Sequence, residues 1–564
     1  MKRAILVCLV ATALSAREPR FLVRIRLSGP EDRVRLNELR LDLTTPLFAN
    51  YVDAVVTKAE QAKLESEGLG IVVLDTDSGI AIPPEYHTVS ETWAVLESLH
   101  AQYPGITRLD ACGYGQRFFL PIPHFVISHN PQMREDEPAA LFTGMHHARE
   151  PLGNEICLYA IRQILAGYPD SSRIRHWVDS AELHFLPIVN PEGFAYITDS
   201  SLVSPWWRKN LRDNGLNGGP INPDSDGVDL NRNYDWRWAV GGSPDPTSWT
   251  YRGPAPGSER EIEAVTRMAW QRRFLVGASY HSYGRVVMYP WQYGGLVTPD
   301  DGTLSEMATN LSLVIGGYTV SRMQTTGMSS EWLYGGTGMF DFLIETGLSF
   351  FPSAESIAVE CEANYRGIGF LLDRMFYGGV TGHVRDSLSL RPVPAQVGLW
   401  GVLGDSVVPR TADSVYGRFY RLLRAGTYRF VFSAPGYESK TVDGVPVGAD
   451  SLTKLEVLLS PIIGLAEGRP MPYVSRCTVE ARPNPFRIQT AIRLPATVCC
   501  KELEIYTASG RLVRSLTVCG MESRASSVEW NGTDECGRIL PEGVYICRTT
   551  GVHPGTVVRL VLAR

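Results

Sequence analysis

Two apolar runs constrain this chain more than any other feature. Phe185-Leu186-Pro187-Ile188-Val189-Asn190 and Phe274-Leu275-Val276-Gly277-Ala278-Ser279-Tyr280-His281 stay apolar along most of their length and then end on a polar side chain. A strand that alternates apolar and polar residues can lie on a surface, whereas one without alternation has to be covered on both faces. Such strands belong to sheets flanked by helices, and chemistry gathers beyond the strand ends. Strand-like runs alternate with helical stretches from Tyr86 to about Tyr377. The expectation is an α/β domain over residues 83–377, with a mixed, mostly parallel sheet flanked by helices.

The flanks read differently. Phe21 to Leu27 alternates, Lys58 to Glu67 is polar and helical, and Ile71 to Leu74 reads as a buried strand, so residues 17–82 are expected to form a small α+β unit. Residues 378–462 carry short strands and turns, such as Gly426 to Phe432 and Ala434-Pro435-Gly436-Tyr437, and fit a β-sandwich. A linker is expected over 463–474, followed by a second all-β sandwich over 475–564 with turns at Ala508–Arg511 and Asn531-Gly532. Met1-Lys2-Arg3 followed by the apolar run Ala4 to Leu14 has the form of a signal peptide, 1–16, which places the mature protein outside the cell or on its surface. In that compartment some of the six cysteines at Cys477, Cys499, Cys500, Cys519, Cys536 and Cys547 could form disulfides, and none has zinc-ribbon spacing. The net charge of −6 provides no basic field for nucleic acid. No internal apolar run reaches the ~20 residues of a membrane helix.

Within the α/β region, Gly144-Met145-His146-His147-Ala148-Arg149-Glu150 follows a strand. A carboxylate three residues after a histidine can reach one metal ion from the same side, and His281, at the end of its own apolar strand, offers a third ligand. Two imidazoles and a carboxylate with one position left open are a catalytic zinc set. Trp206-Trp207-Arg208-Lys209-Asn210 and Gly227-Val228-Asp229-Leu230-Asn231-Arg232-Asn233 add arginine forks suited to carboxylates or oxyanions, and Asp229 could accept a hydrogen bond from a ligand histidine. Glu345 sits inside the apolar run Phe342 to Ile344. A carboxylate there is costly without a partner or a task, and desolvation suits it to act as a base.

In this order, the motifs resemble the zinc carboxypeptidases of the carboxypeptidase A type over roughly Tyr86 to Tyr377. The resemblance implies Zn2+ held by His147, Glu150 and His281, with Asp229 behind the first histidine. It implies Glu345 as general base, Arg208 as oxyanion stabiliser, Asn231 and Arg232 on the substrate's terminal carboxylate, and Arg149 and Tyr283 along the substrate groove. The implied partners are peptide or protein C-termini. The family's mobile tyrosine falls on Met323, which cannot donate a hydrogen bond, and Pro205 stands where an arginine often precedes Trp-Arg. Tyr318 and Tyr334 lie near Met323 in sequence. The family's side-chain pocket is read at Met328, Ser329 and Ser330; none is acidic, so neutral C-terminal residues are expected, with Glu331 as the one acidic neighbour. Residues 378–462 resemble a transthyretin-like regulatory domain, and residues 17–82 a pro-region or accessory unit. The tail, with Ala481-Arg482-Pro483-Asn484-Pro485-Phe486, is similar to type IX secretion sorting domains and to flagellar-hook-capping immunoglobulin-like domains, which implies contact with secretion machinery or the cell surface. A zinc amidase trimming cell-wall peptides, or a non-catalytic peptide-binding surface protein, stays open as an alternative.

Overall fold

Residue spacing along the central strands decides which side chains meet which core. Ala140 and Phe142 of one strand pack into the core on one side of the sheet, while Ala139 and Leu141 pack into the core on the other. Strand side chains alternate between faces, so an unbroken apolar run serves both. The structure is a computed structural model. It describes residues 20–39, 41–44, 50–76, 82–198, 205–216, 218–293, 296–323, 325–401, 407–462, 480–494, 502–507, 512–517, 526–535, 537–550 and 557–563. The expected signal peptide at 1–16, the linker at 463–474 and the turn at Ala508–Arg511 lie outside the described residues. The chain forms two units, Met1–Ile462 and Ile463–Arg564.

The first unit begins with β1 (Arg20–Arg26), α1 (Pro30–Leu39), β2 (Asp42–Leu43), β3 (Tyr51–Thr57), α2 (Lys58–Ser66) and β4 (Ile71–Thr76). These strands form a four-stranded sheet in the order β2-β3-β1-β4 over a core that includes Val23, Ile25, Val52, Leu36 and Leu64. Thr57 and Glu60 close a capping box that starts α2. Sequence reading missed α1 and β3, and it placed β4 in the interior. Instead β4 pairs only with β1 at the sheet edge, and Val72, Val73 and Leu74 are exposed.

The α/β domain follows with α3 (Val89–Gln102), β5 (Thr107–Tyr114), β6 (Pro121–Ile127), β7 (Ala139–Gly144), α4 (Leu152–Gly167), α5 (Ser172–Ser180), β8 (Glu182–Leu186) and α6 (Pro191–Thr198). It continues with α7 (Arg260–Arg272), β9 (Val276–Ser282), β10 (Val286–Tyr289), β11 (Gln292–Tyr293), β12 (Leu296–Val297), α8 (Asp301–Val314), β13 (Thr319–Arg322), α9 (Ser329–Trp332), β14 (Phe340–Thr346) and α10 (Ala354–Arg374). Eight strands form one mixed sheet in the order β13-β10-β14-β9-β7-β8-β6-β5. The centre is parallel, through β8-β7, β7-β9 and β9-β14, and β10-β13 is parallel at one edge. The pairs β5-β6, β6-β8 and β10-β14 are antiparallel. Gly277 lets β9 approach β7, since a Cβ there would lie 2.0 Å from the Leu141 carbonyl oxygen.

Beyond α10 the unit is β-rich. One three-stranded sheet joins Arg418–Leu422, Gly379–Asp386 and Leu452–Leu459; another joins Gln396–Leu399, Gly426–Ser433 and Lys440–Val447. Both contribute to a core containing Val384, Phe419, Phe430, Phe432 and Val457. Asp136 ties this region to the α/β domain through His383 at 2.8 Å and Arg418 at 2.5 Å. The second unit is also β-rich, with a three- and a four-stranded sheet around Ile492, Leu503, Ile505, Trp530 and Leu560. Among the described residues, Cys112, Cys157 and Cys361 are free, and no helix is long and apolar enough to cross a membrane.

The close approach at Gly277 gives a test of the sheet. Its obstacle is backbone, which cannot rotate away as a side chain can, so Gly277→Ala should destabilise the α/β domain by roughly 3 kcal/mol, the upper end for overpacking. Chemical denaturation followed by tryptophan fluorescence would measure the loss, and an unchanged midpoint would show that β7 and β9 can move apart.

Candidate metal centre and active site

Parallel pairing of β9 with β14 sets Glu345 directly beside His281. Side chains two apart share a face, so Ser279 and His281 point with Leu343 and Glu345 to one side of the sheet, opposite the core that receives Ala278, Tyr280, Phe342 and Ile344. The His147 loop arrives from β7, next to β9. Gly144 permits the turn, since a Cβ would lie 2.7 Å from the backbone of Gly153 and from Pro187 O. Met145 then takes a left-handed conformation with φ 55°, which an L-residue adopts only at a cost. That kink sends His147 and Glu150 back across the strand ends.

The three expected ligands converge. His147 Nδ1 lies 2.8 Å from Glu150 Oε1, His281 Nδ1 lies 2.9 Å from Glu150 Oε2, and the two Nδ1 atoms are 3.2 Å apart. All three residues are buried, with ligand atoms within 4.8 Å of one another. The far nitrogen of each ring is held: His147 Nε2 by Asp229 Oδ1 at 3.1 Å, and His281 Nε2 by Ser279 Oγ and Asn231 Nδ2, each at 3.3 Å. Outer partners of this kind fix the ring orientation of metal ligands. Two Nδ1 atoms converging on one carboxylate with little room for protons between them suit a cation, and the donor set suits zinc. His146, not singled out in sequence, stacks on His281 with ring centroids 5.5 Å apart and meets the Tyr234 hydroxyl at 2.9 Å.

Charge is concentrated around this point. Arg208 donates from Nε to Asp229 Oδ2 at 2.9 Å, and its Nη1 lies 3.9 Å from Glu150 Oε1. The Arg208 and His147 charges hold the buried Asp229 carboxyl well below its usual range. Burial first, and then the Glu150 charge, push Glu345 well above the carboxylate range. Its Oε2 is buried with no hydrogen-bond partner among the described residues, as expected of a base whose partner is a substrate or water. Arg232 donates from Nη1 to the Asn231 carbonyl at 2.7 Å, and the Asn231 side-chain oxygen accepts the Ser329 N–H at 2.8 Å. Asn231, Arg232, Arg208, Glu345 and the three ligands all line one cavity of about 580 Å³.

The zinc carboxypeptidase family profile matches residues 92–367. Residues 92–367 belong to the zinc carboxypeptidase family. The metallocarboxypeptidase A of Trichophyton tonsurans is 34% identical over 171 residues, which cover 29% of this chain and 38% of that protein. A zinc carboxypeptidase of Saccharothrix mutabilis subsp. capreolus is 27% identical over 321 residues, covering 51% and 69%. The chain thus spans under two-fifths of the Trichophyton relative. The fold resembles a carboxypeptidase A from Helicoverpa armigera, with TM-score 0.54, 18% identity and coverage of 63% of this chain and 97% of that one. It also resembles thrombin-activatable fibrinolysis inhibitor, with TM-score 0.53, 20% identity and coverage of 64% and 99%.

Two expected groove residues of the carboxypeptidase domain are engaged by the N-terminal unit. Arg149 is fully buried and bidentate on Asp42, at 2.5 and 3.0 Å. The Tyr283 hydroxyl donates to Asp53 at 3.0 Å, and Leu36, Leu41, Leu43 and Thr44 line the active-site cavity. No sequence signal announces these contacts, which join residues more than a hundred positions apart. Met323 is buried and lines the cavity. Neither nearby tyrosine replaces the missing hydroxyl: Tyr318 donates to Glu360, and Tyr334 to Asp300. Ser329 and Ser330 do not line the cavity; Ser330 donates to the buried Asp341. Glu331 is fully buried and is not part of the cavity wall. Ser279 and Leu343 could have been found from sequence, because each lies two residues before a site residue on a strand.

Elemental analysis of the purified protein should find about one zinc per chain, lost in His147→Ala. Asp229→Asn should retain the site but weaken zinc affinity about 10- to 100-fold, the usual effect of removing an outer partner. Zinc content unchanged in His147→Ala would place the metal elsewhere.

Proposed function

We propose that the protein is an exported zinc carboxypeptidase that hydrolyses the C-terminal peptide bond of peptides or proteins. The observation that carries this reading is the pairing of Glu345 with His281, which leaves an unpartnered carboxylate oxygen in the cavity lined by the ligand set and by Arg232. Zinc, when bound by His147, Glu150 and His281, supplies Lewis acidity for polarising a carbonyl and acidifying water. Glu345 accepts the proton of the attacking water and returns it to the leaving amine. Arg208 is already fixed by Asp229 through Nε, so its outer nitrogen can meet the charge that develops on the carbonyl oxygen without reorganising. Asn231 and Arg232 bind the free α-carboxylate, which makes the reaction exopeptidic. A binding protein that had lost turnover would have no need of Glu345 and Arg208 in these positions.

The flanking regions fit an exported enzyme. Met1 to Ala16 serves as signal peptide, residues 378–462 form a transthyretin-like β-sandwich, and the sandwich over 475–564 serves sorting or surface attachment. The N-terminal unit acts as a pro-region. Its Asp42 and Asp53 hold two groove residues, and its leucines face the cavity. No Lys or Arg lies between Lys63 and Arg108. An endopeptidase that frees this unit after β4 must therefore cut at a residue other than Lys or Arg.

Glu345→Gln should abolish turnover and keep zinc, because the amide cannot accept the proton. In the wild type a base with a raised pKa is protonated at low pH, so kcat/KM should climb as pH passes above the ordinary carboxylate range. Full activity of Glu345→Gln would mean the base lies elsewhere. A separate measurement tests the pro-region. Breaking the buried Asp42–Arg149 pair with Asp42→Ala should weaken the unit's hold by about 3–5 kcal/mol. The variant should hydrolyse peptides faster than the intact full chain; an equal rate before and after limited proteolysis would make the unit a mere accessory.

A further inference from the structure

The β-rich region beyond α10 grips the turn that follows α9. Leu333–Thr337 winds as a wide π-type turn, closed where the Gly338 N–H meets Leu333 O at 3.1 Å and Tyr334 O at 3.0 Å. Such turns occur mostly where function demands a special local geometry. The Val408 N–H donates to the Gly335 carbonyl at 2.8 Å, and the Arg410 guanidinium lies 4.7 Å from the centroid of the Tyr334 ring. Asp300, just before α8, is shared: Arg421 Nη2 donates to its Oδ1 at 2.7 Å, and the Tyr334 hydroxyl to its Oδ2 at 2.9 Å. Tyr334 is fully buried, and the Arg421 and Asp300 side chains are 10% and 4% exposed. The turn also meets the segment that carries Asn231 and Arg232. Tyr334 packs edge-on to Trp291 at 5.4 Å, Trp291 packs on Trp236 at 5.3 Å, and a Cβ at Gly335 would lie 2.3 Å from the Trp236 ring. Gly327 donates its N–H to the Trp236 carbonyl at 3.0 Å and accepts the Tyr234 N–H at 3.2 Å. Two residues on, the Ser329 N–H holds Asn231 Oδ1 at 2.8 Å. That bond fixes the amide. With its oxygen taken, Asn231 keeps its NH2, the end that can donate to a carboxylate.

We propose that Arg421, Asp300 and Tyr334 are positioning residues for the substrate's α-carboxylate: the β-rich region braces the turn after α9 and, through it, the bond from Ser329 that orients Asn231. The inference rests on the carboxypeptidase reading, in which Asn231 and Arg232 receive that carboxylate. None of the three lines the active-site cavity, so they act through the turn and not on the substrate. Without Arg421 the nearly buried Asp300 carboxylate loses its countercharge and is driven towards water, which pulls it from the Tyr334 hydroxyl. Tyr334 then loses the anchor that holds the turn against Trp291 and Trp236. The ligand set and Glu345 stand on β7, β9 and β14 and the loop after β7, whose register does not involve Arg421. The brace therefore separates grip on the carboxylate from the metal centre.

Two measurements test the brace. Hydrogen exchange on the intact full chain needs no ligand. Arg421→Ala should speed exchange of the Ser329 and Gly338 amides and leave those of β7 unchanged; equal protection at Ser329 would overturn the proposal. Calorimetry then reads the carboxylate, on zinc-loaded protein carrying Glu345→Gln so that nothing is hydrolysed, after limited proteolysis of the N-terminal unit. The probes are one peptide with a free C-terminus and the same peptide as its C-terminal amide. The free form should bind more tightly, and Arg421→Ala should shrink that ratio by roughly 2- to 30-fold, the range for changes carried through packed contacts. Zinc content and affinity for the amide should stay as they were. Arg421→Lys, which keeps a cation for Asp300, should restore most of the ratio. An unchanged ratio, an equal fall for both peptides, or lost zinc would each overturn the proposal. Tyr334→Phe keeps the ring and removes only its bond to Asp300, so it tests the same link should Arg421→Ala fail to fold. If the chain with its brace intact binds both peptides alike, the carboxypeptidase reading falls and the carboxylate role with it. Exchange at Ser329 then decides the brace alone: faster in Arg421→Ala sustains it, and equal removes it.

Discussion

The register of β14 against β9 is the constraint on which the rest of the site depends. Parallel pairing aligns Phe340 to Thr346 with Val276 to Ser282, so Glu345 lies beside His281 and Leu343 beside Ser279. A slip by one residue would turn Glu345 into the apolar core and bring Ile344 to the metal. Two features hold the register. Phe340, Phe342 and Ile344 are buried in the same core as Val276, Ala278 and Tyr280. At the end of the strand, the Thr346 hydroxyl donates to the His281 carbonyl at 2.9 Å. Gly277 then lets β7 come close enough for its loop to deliver His147 and Glu150. The three candidate ligands and Glu345 are thus brought together by the packing of three neighbouring strands.

Around that frame, charges are placed in opposed pairs. Asp229 is shared between His147 and Arg208, so one carboxylate orients a metal ligand and an arginine together. Burying this aspartate would be prohibitive without both partners. Glu150 meets both histidines, and its charge is one reason the Glu345 proton is held tightly. A cation bound between them would oppose that effect and favour the ionised form of Glu345.

Legibility in the sequence followed the range of the interaction. Apolar runs ending in polar residues revealed the covered sheet, because burial on two faces suppresses alternation along a single strand. His147, Glu150 and His281 were legible because ligand chemistry restricts residue types, and the structure brings them together. The mixed direction of the sheet was only partly visible, since β5, β6 and β10 carry no mark of the strand beside which they lie. The Ile71–Leu74 run read as interior because its composition is apolar, but a sheet edge can tolerate that composition without being covered. Position alone placed Met323 at a lid, whereas its side chain packs with three others that sequence spacing could not assemble. Asp42 and Asp53 were invisible for the same reason.

The N-terminal contacts engage two side chains of the α/β domain at once. Arg149 and Tyr283, carried by the loop after β7 and the residue after β9, present a cation and a phenol to the N-terminal unit. Buried as Arg149 is beneath that unit, losing its carboxylate partner there would cost several kcal/mol. Asp42 and Asp53 supply the acceptors from within the chain. They are anchored by the small sheet, where Asp53 also binds Arg24 at two points of 2.8 Å. The unit's hold thus comes from charge pairs at the rim and leucines above the pocket, and it leaves the ligand set and Glu345 untouched. If the unit acts as the proposed pro-region, its removal would leave His281 and Glu345 held by the same strand register.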